Sequence, residues 1–170
     1  MANKIPPTPA EQDDQLAYLL RRAKWPLSPK VFAALVNKTV STPIELAVFD
    51  NKLRILLFDR KDDEYEGYHM PGTVLRDNET VPDAVERLLK SEVVGGNITP
   101  PISLGWKEIT KGDEFGQDPN RHQISLLHAC WLTEPWGSKQ GEFFSVDELP
   151  ENTLSHHRVL IKEIVRRLNR

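Results

Sequence analysis

The spacing of apolar residues changes from a helical to an extended period near Pro43, and this change constrains the fold of the 170-residue chain more than any other feature. Before it, two short segments on either side of Pro26 place apolar residues at amphipathic-helix spacing. After it, "IELAVFD" and "LRILLFDR" are short apolar runs joined by a polar turn, as in a hairpin of largely buried strands. We therefore expect an N-terminal helical extension followed by a sheet-containing domain.

The later segments alternate between the two kinds of pattern. "TVPDAVERLLKSEVV" opens with a capping box at Thr80 and predicts a helix that stops at the glycines 95 and 96. "ISLGWKEIT", "HQISLLHACWLTE" and "EFFSV" predict strands, and "SHHRVLIKEIVRRLNR" predicts a terminal amphipathic helix. Because helices and strands are interspersed, we expect an α+β fold with a mixed sheet between helices. The expected division is an extension over residues 1–43 and a main domain over 44–170.

Composition excludes several classes of function. The formal charge of −3 leaves no overall basic surface for a nucleic-acid backbone. The single cysteine, Cys130, cannot form an internal disulfide and favours a reduced, cytoplasmic setting. Apolar runs fall short of the roughly 18 residues that a membrane-spanning helix requires. We expect a cytoplasmic protein that binds neither nucleic acid nor membrane.

The order of these elements, together with "HMPG" and "FFSVDELP", resembles the Nudix superfamily from about Ile44 to Leu168. The family signature is a glycine, five residues, a glutamate, seven residues, and then R-E-U-x-E-E-x-G-U, where U is a bulky apolar residue. The resemblance implies an α/β/α sandwich and a divalent cation, usually Mg²⁺. It also implies hydrolysis of a nucleoside diphosphate linked to another group.

The signature fits this chain in part. Gly72 takes the first glycine position, but six residues rather than five separate it from Glu79. Seven residues then separate Glu79 from Arg87, as the signature requires. The register therefore holds within the predicted helix.

In this register, two of the three metal-binding glutamates that the resemblance implies are absent. Leu88 and Ser91 replace them, and Glu92 remains as the one metal ligand on the helix. Mg²⁺ binds through as few as one or two carboxylates plus substrate phosphates, so Glu92 supports at most one weakly held ion. Hydrolysis also requires an activated water and stabilisation of the leaving phosphate. We therefore expect a catalytic site reduced to Glu92 and Arg87, with catalysis weak or lost.

Four residues are predicted to contact the ligand: Gly72, Glu79, Tyr68 and Trp106. Tyr68, His69 and Trp106 are suited to stacking on a base or touching phosphates, although aromatic residues in strands more often belong to the core. Arg87 has two alternatives, which are to orient Glu92 or to pair with an acidic residue on the surface.

Two hypotheses follow. The chain binds a nucleotide-type small molecule without turnover, or it is an active hydrolase with metal ligands recruited from outside the signature. The acidic candidates for such ligands are Asp113, Glu114 and Asp118 in a loop and Glu86 on the predicted helix. A solvated acidic loop is the alternative interpretation of the first three. A homodimer follows if the N-terminal extension uses its apolar faces between subunits.

Overall fold

The computed structural model describes residues 8–62, 65–110, 122–136 and 141–170. The helices are α1 Pro9–Arg22, α2 Pro29–Val36, α3 Val81–Glu92 and α4 Ser155–Leu168. The strands are β1 Val40–Ser41, β2 Pro43–Phe49, β3 Ile55–Lys61, β4 Glu66–His69, β5 Gly72–Val74, β6 Ile102–Ile109, β7 His122–Trp131 and β8 Gly141–Phe144. The chain divides into two compact units, Met1–Leu35 and Val36–Arg170. This division precedes the expected one at residue 43, because Val36 is buried and β1 already pairs with β7.

The sequence predicts two N-terminal helices, and the first unit contains α1 and all of α2 except its last residue, Val36. At the start of α1, the Thr8 hydroxyl oxygen accepts the Glu11 backbone N–H at 3.4 Å, and Glu11 accepts the Thr8 backbone N–H at 2.8 Å. At the start of α2, the Ser28 hydroxyl oxygen accepts the Val31 N–H at 3.4 Å. None of the residues of α1, all of them described, is buried. No helix in the described ranges is both long and apolar enough to cross a bilayer.

Parallel and antiparallel strands form one sheet in the second unit. β2 lies parallel to β7, with Ile44 opposite Leu126 and Phe49 opposite Trp131. The other edge of β2 pairs with β5. The predicted hairpin of β2 and β3 is therefore short, and its register pairs Phe49 with Ile55. β3 pairs with β4 and β8, while β7 pairs with β6 and β1. β2 therefore lies in the middle of the sheet.

Each face of the sheet buries its own apolar cluster. On one face α4 contributes Leu160, Ile161 and Ile164, which pack with Ala47, Phe49, Ile55, Leu57, Met70, Leu127 and Ala129. On the other face α3 contributes Ala84, Val85 and Leu88, which pack with Ile44, Leu46, Val48, Leu56, Phe58 and Cys130. Residues of one strand alternate between the clusters because successive side chains point to opposite faces. The expected α+β architecture, an α/β/α sandwich with a mixed sheet, is confirmed.

Two boundaries differ from the sequence expectations. The stretch from Lys61 to Gly67, expected as a loop, has strand at both ends because β3 runs to Lys61 and β4 begins at Glu66. Helix α3 ends at Glu92, before the predicted stop, and Gly95 follows with a φ of 76°. Glu92 is consequently the last residue of its helix.

Candidate functional site

Helix α3 begins with the capping box that the sequence predicts. The Thr80 hydroxyl oxygen accepts the Asp83 backbone N–H at 3.3 Å, and an Asp83 carboxylate oxygen accepts the Thr80 hydroxyl at 2.6 Å. The helix then buries Ala84, Val85 and Leu88. This apolar stripe fixes the rotation of α3 about its axis and so decides which signature positions reach solvent.

The three signature positions assigned to metal ligands lie in different environments. Leu88 has 0% exposed surface and belongs to the core between α3 and the sheet. Ser91 is exposed, and its hydroxyl donates to the Leu88 carbonyl oxygen at 3.0 Å. Glu92 is partly buried, and its Oε2 accepts the Gly72 backbone N–H at 3.3 Å. Glu92 is therefore the one carboxylate among these three positions.

The Arg87 guanidinium binds the segment that precedes α3. Its Nε and Nη2 donate to the two carboxylate oxygens of Glu79 at 2.6 and 2.8 Å. Further hydrogen bonds reach Thr73 Oγ1 at 2.6 Å and the Val74 carbonyl oxygen at 3.1 Å. The side-chain hydrogen bond from Arg87 is the main cause that lowers the pKa of Glu79 to about 2. Arg87 thus pairs with an acidic residue, which is the second of the two alternatives. That Arg87 orients Glu92 stays a prediction.

Gly72 lies between two acidic side chains. It is the first residue of β5 and stands opposite Glu45 of β2 in the antiparallel register. Its N–H donates to Glu92, and a Cβ added at Gly72 would lie 3.0 Å from Glu45 Oε2. Glu45 is only 5% exposed. The missing side chain at Gly72 thus lets both carboxyl groups approach the same short stretch of backbone.

Both carboxyl groups have raised pKa values. Burial, and then the charge of Glu92, raises the pKa of Glu45 to about 8. Burial raises the pKa of Glu92 to about 7, although the Gly72 N–H and the positive charge of Arg60 act in the opposite direction. Because both carboxyl groups are removed from water and the charge of Glu92 further raises the pKa of Glu45, the two groups do not readily ionise together.

A buried histidine approaches Glu45 from α4. His157 Nδ1 lies 3.7 Å from Glu45 Oε2, which is beyond hydrogen-bond range, and it accepts the Met70 backbone N–H at 3.4 Å. Burial, followed by the charges of neighbouring histidines, lowers the pKa of His157 well below its usual value. A neutral ring whose Nδ1 accepts from Met70 does not donate to Glu45 from the same nitrogen. Glu45 Oε2 is accordingly buried without a hydrogen-bond partner among the described residues.

A cavity of about 360 Å³ opens beside Glu92. Phe58, Asp59, His69 and Glu92 line it. The His69 ring centroid lies 6.1 Å from that of Phe58, and His69 Nδ1 lies 2.7 Å from the Met70 carbonyl oxygen. If Nδ1 donates to that carbonyl, Nε2 remains as an acceptor. The cavity is thus lined by two aromatic rings and two carboxyl groups, a combination suited to a polar small molecule.

The two aromatic residues predicted to bind the ligand lie elsewhere. The Tyr68 ring centroid is 5.0 Å from that of Phe144, and Tyr68 packs against the core cluster that includes α4. Trp106 is 58% exposed and lines a separate groove with Arg166 and Arg167. In the described part of the chain, neither residue lines the cavity defined above. Their contact with a ligand stays a prediction.

Sequence reasoning missed Glu45 and His157. The available signal for Glu45 was an acidic residue within an apolar strand, and β2 is indeed buried at every position. His157 gave a weaker signal, since it follows the spacing of an ordinary amphipathic helix. Glu86, one of the alternative ligands, is exposed and forms an ion pair with Lys90. The other alternative ligands lie outside the described residues: Asp113, Glu114 and Asp118.

The donor set limits which cations the site fits. Within residues 8–62, 65–110, 122–136 and 141–170, no group of three or more His, Cys, Asp or Glu side chains is placed to hold a metal ion. The partnerless oxygen of Glu45 is nevertheless a hard donor close to Glu92, and one Mg²⁺ needs only one or two carboxylates if it keeps several waters. The residues fit a single ion and do not fit the cluster of several carboxylates implied by the signature.

The second unit is thus a three-layer α+β domain in which Gly72 precedes helix α3 and a cavity lies beside Glu92, the last residue of that helix. The NUDIX domain profile matches residues 44–164, and the chain belongs to this family. The ADP-ribose pyrophosphatase of Methanocaldococcus jannaschii is 30% identical over 123 residues, which cover 69% of this chain and 68% of that protein. Nudix hydrolases in general use divalent metals such as Mg²⁺.

Solved structures show the same fold. A mutT/nudix family protein from Listeria innocua has a TM-score of 0.60 and 21% identity, over 78% of this chain and 96% of that chain. The NUDIX domain of Shewanella oneidensis NrtR, in a complex with ADP ribose, has a TM-score of 0.55 and 16% identity, over 89% of this chain and 97% of that chain.

Proposed function

We propose that this chain binds a nucleoside-diphosphate-linked small molecule in the cavity beside Glu92, and that metal-dependent hydrolysis there is weak or lost. Two relatives support the ligand class, since one is an ADP-ribose pyrophosphatase and another was solved in a complex with ADP ribose. ADP-ribose is therefore the first ligand to test.

The burial of Leu88 is the observation that carries the catalytic part of the proposal. A side chain with 0% exposure inside the α3 cluster offers nothing to a cation or a water molecule. Ser91 is neutral and bonds to the helix backbone, so Glu92 is left to act alone from α3. A bound divalent ion would supply charge neutralisation at the diphosphate, and Glu92 would help to hold it. One helix carboxylate gives too little charge to anchor several ions.

Other residues around the cavity suit binding. Phe58 and His69 present aromatic surface on which a base or ribose can pack. Arg60 places a positive charge close enough to affect the pKa of Glu92, and it favours an anionic group nearby. A ligand can bind through these contacts without being hydrolysed.

Calorimetric titration with ADP-ribose, combined with a turnover assay in Mg²⁺, tests the proposal. We expect saturable binding, and turnover far below the roughly 1–1,000 s⁻¹ of ordinary enzymes. His69→Ala should weaken binding, whereas His122→Ala should not, because His122 lies on β7 and bonds to Glu108. Turnover at ordinary rates that is abolished by Glu92→Gln would contradict the proposal.

The active hydrolase is the second candidate, and the buried Glu45 favours it. Glu45 lies outside the signature, yet its carboxyl group interacts electrostatically with Glu92. Ligands recruited in this way would restore part of the missing negative charge. The same turnover assay separates the two candidates, since a hydrolase should lose activity in both Glu45→Gln and Glu92→Gln.

We further propose that α1 mediates a homodimer. Leu16, Leu19 and Leu20 are exposed to between 40% and 56%, and they share one side of the helix. Acidic Glu11 lies in the first turn, while Arg21 and Arg22 lie in the last. In an antiparallel pair of α1 helices, the leucines of the two copies would pack together, and Glu11 of each copy would lie near Arg21 and Arg22 of the other. Light scattering should show a dimer that Leu19→Glu converts to a monomer; an unchanged mass would refute this.

A further inference from the structure

β4 ends the described sheet order, and its outer edge pairs with the chain just before α4. Tyr68 donates its N–H to the Asn152 carbonyl oxygen at 3.1 Å, and Leu154 donates its N–H to the Tyr68 carbonyl oxygen at 2.9 Å. Gly67 allows this close approach, because its φ is 142° and an added Cβ would lie only 2.1 Å from the Asn152 carbonyl oxygen. The chain that leads into α4 is therefore fixed against β4.

His157, in the first turn of α4, continues this contact beyond the end of β4. Its side chain is buried, and its Nδ1 accepts the Met70 backbone N–H at 3.4 Å. Met70 has 0% exposed surface, and the N–H of a buried residue needs a hydrogen-bond partner. An apolar side chain would fill the same space in the core but would leave that donor without its acceptor. His157 therefore does more than fill the core.

Met70 lies between two residues of the candidate site. On one side is His69, which lines the cavity and whose Nδ1 lies 2.7 Å from the Met70 carbonyl oxygen. On the other side, after Pro71, is Gly72, whose N–H donates to Glu92. A shift of the Met70 backbone would therefore move the His69 ring and the Gly72 N–H together.

We propose that His157 is a positioning residue for the cavity beside Glu92. By holding the Met70 N–H, it sets the positions of the His69 ring and of the Gly72 N–H. The expected effect of His157 on ligand affinity rests on the ligand class proposed above, whereas its effect on His69 and Gly72 does not.

The first test uses the wild-type chain and the imidazole ¹⁵N spectrum of His157 near neutral pH. Burial, and then the charges of neighbouring histidines, keeps the pKa of His157 well below its usual value, so the ring is neutral. A neutral ring carries one proton, and only an unprotonated Nδ1 accepts from Met70. We expect the proton on Nε2. A proton on Nδ1 would overturn the proposal.

Three variants of the full chain test the positioning itself. His157→Leu fills a similar volume but removes the acceptor, whereas His157→Asn keeps an amide oxygen that can accept the Met70 N–H. Ile164→Ala is the control, because Ile164 has 0% exposed surface and lies about two turns further along α4. It removes core packing from α4 and leaves the acceptor in place.

We expect His157→Leu to speed amide hydrogen exchange at Met70 and Gly72 by about tenfold or more and to change the ¹⁵N shifts of the His69 ring. Its affinity for ADP-ribose should fall by about tenfold, which is the scale of one lost hydrogen bond. His157→Asn should restore the exchange rates, the ring shifts and the affinity. Ile164→Ala should leave the His69 shifts and the affinity close to those of the wild type.

Unchanged His69 and Gly72 signals in folded His157→Leu would overturn the proposal, as would equal changes in Ile164→Ala. If His157→Leu does not fold, the tautomer of wild-type His157 decides. The ligand class fails separately. A wild type that does not bind ADP-ribose, combined with the expected signal changes in His157→Leu, would reject the ligand class and support the positioning role. Normal ADP-ribose binding with unchanged signals in His157→Leu would reject the positioning role alone.

Discussion

Arg87 and Glu79 form a two-bond ion pair whose side chains are 24% and 13% exposed. The pair connects the middle of α3 to the segment before it, and two further bonds extend the connection to Thr73 and Val74 of β5. β5 in turn positions Gly72 between the acidic groups. Arg87 therefore holds the backbone that carries Gly72.

Removal of the Arg87 guanidinium should destabilise the fold. Arg87→Met removes the four guanidinium hydrogen bonds to Glu79, Thr73 and Val74 and leaves Glu79 only the Arg76 backbone N–H as a donor, which should lower the free energy of unfolding by about 1–3 kcal/mol. Arg166→Met is the control, since this exposed arginine pairs with Glu163, which Arg167 also binds. The control should stay close to the wild type in stability, because Arg166 is exposed to solvent. Urea denaturation measures both, and equal losses would contradict the assignment.

The same pair predicts a pH dependence of stability. The folded-state pKa of Glu79 is about 2, below its ordinary value of 4.5, so its contribution is present above pH 4.5 and is lost as the pH falls toward 2. Glu79→Gln should therefore be less stable than the wild type at pH 7, and the difference should narrow below pH 4.5. A difference that stays constant with pH would show that the charge of Glu79 is not involved.

The buried side chain of Leu88 should contribute strongly to the stability of the fold. Leu88→Ala removes a fully buried side chain and should cost about 2–5 kcal/mol. Leu89→Ala is the matched control, because Leu89 is only partly buried against the same cluster and should cost less. Thermal and urea unfolding of the two variants show which substitution causes the larger loss of stability. A smaller loss at Leu88 would place that residue outside the core.

The sequence predicted the fold better than the site. The signals for the fold lie between neighbouring residues, whereas the site depends on residues that are far apart along the chain. Capping boxes and apolar periodicity are local, so α1, α3 and the strands β2, β3, β6, β7 and β8 were recognisable from neighbouring residues, whereas the short strands β1, β4 and β5 were not predicted. The environment of Glu45 depends on the β2–β5 register and on His157, whose bond to Met70 spans 87 positions. Such contacts arise only when the sheet and α4 come together. An acidic residue in an apolar strand was the one local sign.

Glu45 should make the metal-free protein less stable as the pH rises. Its folded-state pKa of about 8 exceeds the ordinary 4.5, so its contribution is complete below pH 4.5 and is lost as the pH rises through 8. The slope for one proton is at most about 1.4 kcal/mol per pH unit. In EDTA, urea unfolding should show that the wild type loses stability between pH 5 and pH 8. The stability of Glu45→Gln should change less over the same range. Identical slopes would contradict the burial of an ionisable Glu45.

Gly72 and Glu45 should be energetically coupled. Gly72 is not among the glycines with a positive φ, so an alanine there strains no backbone angle, but its Cβ would lie 3.0 Å from Glu45 Oε2. Gly72→Ala should cost about 1–3 kcal/mol through this overpacking. Glu45→Ala removes the opposing oxygen, so the double variant should lose less than the sum of the single variants, with a coupling of about 0.5–3 kcal/mol. Urea unfolding of the four proteins measures the cycle. Additive losses would mean that Glu45 Oε2 does not face Gly72.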